Sequence, residues 1–146
     1  MREEEVTTEI IRFLRKKGWE IIAYDLPSLG SGLLLHDNES TSKNKGTISP
    51  DILAFKNELV LICEAKDHFS KTDIKKLKKM KAGKYDASIS KKIGHQNWER
   101  LLLSIGFPAE EKPKEEEITR NTHLDYIFLI GDEFHTISLS SGLKEL

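Results

Sequence analysis

Residues 48–66, ISPDILAFKNELVLICEAK, contain two apolar runs separated by a short polar break. The runs span residues 48–55 and 59–65, and the break contains Asn57 and Glu58. Two β-prone runs with so short a separation predict a β-hairpin in which these two residues form the turn. A hairpin fixes which residues face each other, and so it also fixes which side chains share a face of the sheet.

The predicted turn sets the register of the two strands and places Asp51 opposite Glu64. Because strand side chains alternate, these acids share a face with Lys66. Directly opposed like charges destabilise a sheet, but a divalent cation between them reverses that effect, and Mg²⁺ binds through one or two carboxylates while keeping several waters. The alternative is a solvent-facing hairpin end at which Lys66 partly compensates two acids.

The chain has 146 residues, of which 38% are hydrophobic. We therefore expect a single domain, residues 1–146, with a substantial core. No apolar run approaches the roughly 20 residues that span a bilayer, and the charged start MREEE lacks the order of a secretory signal. These features predict a soluble cytoplasmic protein with no membrane partner. Cys63, the single cysteine, is expected to be buried in the core.

Charge is distributed unevenly, although the net charge is only −1. Residues 66–92 contain ten lysines and three acids, a net charge of +7, so the rest of the chain carries −8. Such asymmetry indicates a surface that faces a polyanion. A solvated lysine-rich helix is the alternative.

The first helix is predicted over residues 3–17, with an apolar stripe, early acids, late bases and Gly18 at its end. At 100° per residue Glu9 lies at the edge of the stripe, whereas Glu4 points away from it. Glu9 is thus the helix acid best placed to reach a site at the margin of the core. A boundary charge with no role in a site is the alternative.

The chain then alternates between strands, loops and helices. Residues 19–24 predict a strand, and the glycine-, serine- and lysine-rich stretch 25–47 predicts a long functional or disordered loop with a mobile insert at about 36–47. Within it, residues 33–35 suit a short strand or a hydrophobic tip. After the hairpin, a helix is predicted from Ser70 or Thr72 to about Lys81.

The last third of the chain is predicted to return to the sheet. Residues 84–89 are ambiguous between strand and irregular structure. A second helical stretch is predicted after Ser88 or Ser90, and it ends at Gly106-Phe107-Pro108. Its apolar stripe contains Trp98, Leu101, Leu102 and Ile105. Residues 109–119 predict an acidic loop, and two strands follow from His123 with a turn at 131–133. The whole order predicts a mixed α/β fold, with a central sheet flanked by helices.

Pro50-Asp51 followed, after twelve intervening residues, by Glu64-Ala65-Lys66 resembles the motif of the PD-(D/E)XK nucleases, the restriction endonuclease-like superfamily. The resemblance covers residues 5–80, about half of the chain. It implies a three-layer core with a mixed central sheet. It also implies a Mg²⁺-dependent endodeoxyribonuclease that hydrolyses DNA phosphodiester bonds, with Mn²⁺ as a substitute metal.

The resemblance assigns roles to residues of the motif. Asp51 and Glu64 would hold the metal together with the carbonyl of Ala65, and Lys66 would orient or help to activate the attacking water. Glu9 would be the first-helix acid, with Glu5 as the alternative.

The resemblance also implies DNA as the partner, with no small-molecule substrate. The lysine-rich helix would lie along DNA, as in archaeal Holliday junction resolvases and Mrr-type nucleases, while the long segments 33–47 and 82–121 are more similar to the specificity elements of small type II restriction enzymes. The candidate DNA contacts are Lys71, Lys75, Lys76, Lys79 and Ser31. We expect a homodimer, because one active site cuts one strand, with residues 33–35 or Trp98 as its interface. A non-catalytic DNA-binding or assembly module that retains the fold is the alternative, and a purely structural protein is a third hypothesis.

Overall fold

A computed structural model describes residues 1–26, 35–36, 48–69, 71–94, 97–112, 117 and 123–139; of residues 71–73 it describes only the backbone. The described chain contains three α-helices, six strands and two short 3₁₀ helices. In chain order the elements are α1 (Glu3–Lys16), β1 (Glu20–Tyr24), β2 (Ile52–Lys56), β3 (Leu59–Ala65), α2 (Lys71–Lys78), a 3₁₀ helix (Lys79–Ala82), α3 (Asp86–Ile93), β4 (Arg100–Pro108), a second 3₁₀ helix (Ala109–Glu111), β5 (Tyr126–Ile130) and β6 (Phe134–Ser138).

The six strands form one sheet in the order of the chain. Strands β1, β2 and β3 are antiparallel neighbours, β3, β4 and β5 are parallel neighbours, and β6 returns antiparallel to β5. The predicted α/β class with a mixed central sheet is confirmed.

The central hairpin has the predicted turn and register. Its ladder runs from Lys56 opposite Leu59 to Ile52 opposite Cys63. Asn57 and Glu58 both have positive φ, 49° and 66°, as a two-residue type I′ turn requires. The ladder ends one step before Asp51 and Glu64, whose carboxyl groups interact with each other.

Helices cover both faces of the sheet, which gives the three layers that were predicted. On one face α1 packs on the strands, with Ile10 and Leu14 among the buried residues of that core. On the other face α2, the first 3₁₀ helix and α3 cover the sheet through Ile74, Leu77 and Met80, with Leu53, Val60 and Ile62 on the strand side. Cys63 is buried, as expected, and its burial raises the pKa of the thiol.

The helical stretch predicted to carry Trp98, Leu101, Leu102 and Ile105 on its stripe is wrong, because residues 100–108 form β4, a strand between β3 and β5. Because both faces of this strand are covered, its apolar residues do not alternate with polar ones, and a short apolar run of that kind does not distinguish strand from helix. Gly106 is therefore a strand residue and not part of a helix end. The helix lies earlier, in α3, and Trp98 donates a hydrogen bond from Nε1 to Ser90 Oγ, 2.8 Å away.

Residues 84–89 are predicted as a strand or irregular structure, but Asp86 begins α3, and residues 109–111 of the predicted acidic loop form a 3₁₀ helix. The other predicted elements agree with the structure where it describes them. The first helix, the first strand and the last two strands are confirmed, and Leu35 forms an isolated antiparallel bridge with Ile48. Leu33 and Leu34, most of the insert at 36–47 and most of the acidic loop beyond Lys112 lie outside the described residues. Leu35 is fully buried, so its side chain is not available as a dimer interface. None of the described helices has the length and apolar character that crossing a membrane requires.

Candidate active site

Asp51 lies immediately before β2, where its main chain and side chain are both held by neighbouring strands. Its carbonyl accepts a hydrogen bond from the N–H of Asp25, and its Oδ2 accepts one from the N–H of Ala65, each at 2.8 Å. The second bond fixes the carboxylate against the end of β3. Asp51 thus lies beside Glu64 because of the hairpin register and is oriented by a backbone donor of β3.

Glu64 carries a carboxyl group that is almost completely buried, with 2% of the residue exposed. Its pKa is raised to about 8 in all, first by burial and then by the charge of Asp51 and a hydrogen bond with the Asp51 carboxyl. Lys76 acts in the opposite direction and lowers it. At neutral pH and without a bound cation, the Asp51–Glu64 pair therefore holds a proton.

Lys76 of α2 reaches this acid pair. Its Nζ lies 2.6 Å from Glu64 Oε1 and donates a hydrogen bond to the carbonyl of Ser49 at 2.9 Å. Glu64 Oε1 is buried, and this close approach does not have the geometry of a directed hydrogen bond. Lys76 was predicted as a DNA contact, and the structure places its ammonium against Glu64.

Lys66 follows the end of β3, where its N–H donates to the carbonyl of Gly106 at 2.9 Å. Its Nζ lies 3.5 Å from Oε1 of Glu3, at the start of α1. Lys66 is predicted to share a face with the acid pair, but this contact is with the helix that covers the opposite face of the sheet from α2, and the lysine that contacts Glu64 is Lys76 of α2. Glu3 is thus the first-helix acid that contacts the lysine of the motif. Sequence reasoning missed it, although the acidic first turn of α1 contains it.

The prediction that Glu9 reaches the site is not met. Glu9 pairs with Arg12 at 2.7 Å, and both Glu9 and the alternative Glu5 line a separate surface groove of about 510 Å³. Glu9 lies six positions after Glu3 in the helix, which is about 9 Å along the axis and about 120° around it. One helix cannot present both acids to the same point.

The predicted DNA contacts are divided between the acid pair and the surface. Lys75 of α2 and Lys79 of the 3₁₀ helix that continues it are both exposed. The side of α2 that faces the core is formed by the buried residues Ile74 and Leu77. Lys71 begins α2, but its side chain, like the whole of Ser31, lies outside the described residues.

The residues at the acid pair fit the ligand set of a hard divalent cation. Two adjacent carboxyl groups and the carbonyl of Ala65 are oxygen donors, and Glu64 Oε1 is a buried oxygen without a directed hydrogen bond. Within the described ranges no group of three or more His, Cys, Asp or Glu side chains is arranged to hold a metal. Mg²⁺ needs only one or two carboxylates, because water completes its coordination, so this set suits Mg²⁺ better than Zn²⁺.

No protein-family model, curated protein or solved structure matches this chain. A function must therefore be inferred from the geometry of the acid pair and of Lys76, which contacts it.

Proposed function

We propose that the chain is a Mg²⁺-dependent endodeoxyribonuclease. The observation that carries the proposal is the pair of adjacent carboxyl groups, Asp51 and Glu64, at the end of a hairpin and beside the ammonium of Lys76. Asp51, Glu64 and the Ala65 carbonyl would hold the cation. When bound, Mg²⁺ neutralises charge on the phosphate and lowers the pKa of a coordinated water.

The residues of the chain have distinct tasks in phosphodiester hydrolysis. Asp51 is held in a fixed orientation by the Ala65 N–H, so it binds without further rearrangement. Glu64 must give up its proton before it can bind a cation. Lys66, whose ammonium lies beside Glu3, would orient the attacking water.

The position of α2 supports DNA as the substrate. Lys76 joins this helix to the acid pair, while Lys75 and Lys79 are exposed on the same helical segment. Lysines bind phosphates as point charges and carry little sequence information. A DNA backbone bound by the exposed lysines of α2 would therefore place a phosphate near the acid pair.

Cleavage of supercoiled plasmid in Mg²⁺ and in EDTA tests the proposal directly. We expect cleavage only with the metal, and a loss of roughly 100-fold or more in both Asp51→Asn and Lys66→Met, since the first removes a charge that would hold the cation and the second a charge that would orient the attacking water. The amide introduced by Asp51→Asn retains an oxygen that accepts the Ala65 N–H, so the fold should persist. Lys112→Met, which removes an exposed charge elsewhere, is the control. Metal-independent cleavage, or full activity in Asp51→Asn, would refute the proposal.

The class of DNA substrate is a separate measurement. Digestion of defined linear, supercoiled and four-way-junction DNA, with sequencing of the ends, separates a restriction-type enzyme from a junction-resolving one. Cuts at a fixed sequence in linear DNA indicate the first, and paired cuts at the branch point indicate the second.

A non-catalytic DNA-binding module is the second candidate, and the contact of Lys76 with Glu64 favours it. The ammonium of Lys76 can balance the negative charge of the acid pair without a metal, and a module that binds DNA without cleaving it would need no metal. Calorimetry decides between the two: such a module binds DNA in a salt-dependent way and shows no binding of Mg²⁺ or Mn²⁺.

A further inference from the structure

Lys76 has a different environment from the other described lysines of α2. Ile74 and Leu77 are buried on either side of it in the sequence and fix the rotation of the helix on the sheet. Lys75 is exposed, whereas the side chain of Lys76 is only 33% exposed and ends at the acid pair. The core packing of α2 thus sets the position of this ammonium.

The contacts of Lys76 place its charge between the acids and the surface. An ammonium carries three N–H donors. Ser49 accepts from one of them at 2.9 Å, and Glu64 lies 2.6 Å away. A phosphate oxygen that approaches the acid pair from solvent would meet the third donor without displacing the bond to Ser49.

We propose, on the basis of the proposed nuclease function, that Lys76 is a second functional lysine of the site. In the metal-free protein its ammonium balances the negative charge of the acid pair. A divalent cation at the acid pair would offset the attraction of the carboxylates for the ammonium, which would then be available to a substrate phosphate while Ser49 holds it at the site. Lys76 thus contributes to cleavage and opposes metal binding.

Coulomb interactions explain why removal of the Lys76 ammonium should strengthen metal binding and slow cleavage. A divalent cation adds two positive charges near Lys76 if Glu64 is already ionised, and one net charge if it replaces the proton of Glu64. In either case removal of the ammonium favours the metal. The same removal takes a cation away from the phosphate, where negative charge is stabilised during hydrolysis.

Lys76→Met retains most of the volume of the side chain and removes its charge. Titration calorimetry with Mg²⁺ and single-turnover cleavage at saturating DNA are the two measurements. We expect roughly tenfold tighter Mg²⁺ binding and roughly 100-fold slower cleavage. Lys76→Arg retains the charge and should bring the Mg²⁺ affinity back towards the wild-type value. Lys75→Met, the same charge change one residue away, should leave the Mg²⁺ affinity unchanged.

A purely structural Lys76 would give a different result. In that case Lys76→Met would weaken both Mg²⁺ binding and cleavage, together with the resistance of the metal-free protein to urea. That outcome, or an unchanged cleavage rate, overturns the inference while the wild-type protein still binds Mg²⁺ and cuts DNA. If the wild-type protein does neither, the nuclease function itself fails and the inference fails with it.

Discussion

Glu64 is a buried carboxyl group whose surroundings favour its protonated form. Its pKa is raised from 4.5 to about 8 in the folded chain, first by burial and then by Asp51. Between these values the unfolded state has lost the proton and the folded state retains it. The free energy of unfolding of the metal-free protein should therefore fall as the pH rises from about 4.5 to about 8. Glu64→Gln removes this titration, so we expect urea unfolding of the variant to depend less on pH in that window.

An exposed acid provides the control for this prediction. Glu20→Gln, on β1, should leave the fall in stability unchanged. Mg²⁺ should also raise the unfolding midpoint of the wild-type protein more at about pH 8.5 than at about pH 6, because it competes with the proton of Glu64. Equal slopes in the wild-type protein and Glu64→Gln would show that Glu64 does not titrate in this way.

At the scale of residues, the sequence predicted the acid pair and missed its neighbours. Asp51 and Glu64 followed from the period of two and from the turn, both of which are local. The lysine that contacts Glu64 and the acid that contacts Lys66 depend on the rotation and position of α2 and α1 on the sheet. Hydrophobic periodicity indicates which face of a helix is buried, but not which end of the helix lies over the site.

At the scale of elements, α1 packs against β4 at a point where only glycine fits. A Cβ at Gly106 would overlap Cδ1 of Ile10 and would lie 3.4 Å from Cβ of Phe128. Ile10 is fully buried, so its side chain has little room to move. We expect Gly106→Ala to reduce the free energy of unfolding by about 1–3 kcal/mol through overpacking, measured by urea denaturation.

A double-mutant cycle separates this contact from other effects of the substitution. Ile10→Val removes Cδ1 and should cost about 0.5–1.5 kcal/mol alone. In that background Gly106→Ala should cost less than in the wild-type protein. If the two costs are simply additive, the predicted contact between Gly106 and Ile10 does not limit the packing.

Asp125 joins the first 3₁₀ helix to β4 at a buried point of the fold. Its Oδ2 accepts from the N–H of Leu103 at 2.8 Å and from Lys81 at 2.9 Å, and Arg100 lies 3.5 Å from Oδ1. The residue is only 1% exposed. We expect Asp125→Ala to lower the free energy of unfolding by about 3 kcal/mol, since it leaves a buried donor and two cations without this acceptor. The same substitution at the exposed Asp132 should change little, and equal effects at both positions would contradict the prediction.

Element prediction succeeded where the periodic pattern was distinct. The stripe of α1 and the turn at Asn57-Glu58 each favour one structure, so local chemistry and the final fold agree. Strand β4 was taken for a helix because its continuous burial removes the alternation by which strands are recognised. The position of β4 between β3 and β5 depends on how the whole sheet assembles, so it cannot be predicted from the residues of β4 alone.

At the scale of the whole molecule, the sheet separates two helical layers, each of which exposes basic side chains. The acid pair and the lysines of α2 belong to one side, while Arg15 and Lys16 are exposed on α1, which covers the other face of the sheet. A polyanion bound across the acid pair would therefore contact α2 and leave the end of α1 in solvent. The two sides can be compared by the salt dependence of DNA binding.

Each phosphate contact that a lysine makes on duplex DNA contributes about 0.9 to the slope of log K against log salt. The double variant Lys75→Gln/Lys79→Gln, in an Asp51→Asn background without Mg²⁺, should therefore reduce the magnitude of this slope by about 2. Arg15→Gln/Lys16→Gln carries the same charge change and should leave the slope nearly unchanged. A localised interface releases counterions only where its side chains contact phosphates, so only the variant on that interface should reduce the slope. Equal reductions in the two double variants would mean that net charge, and not the position of α2 beside the acid pair, determines DNA binding.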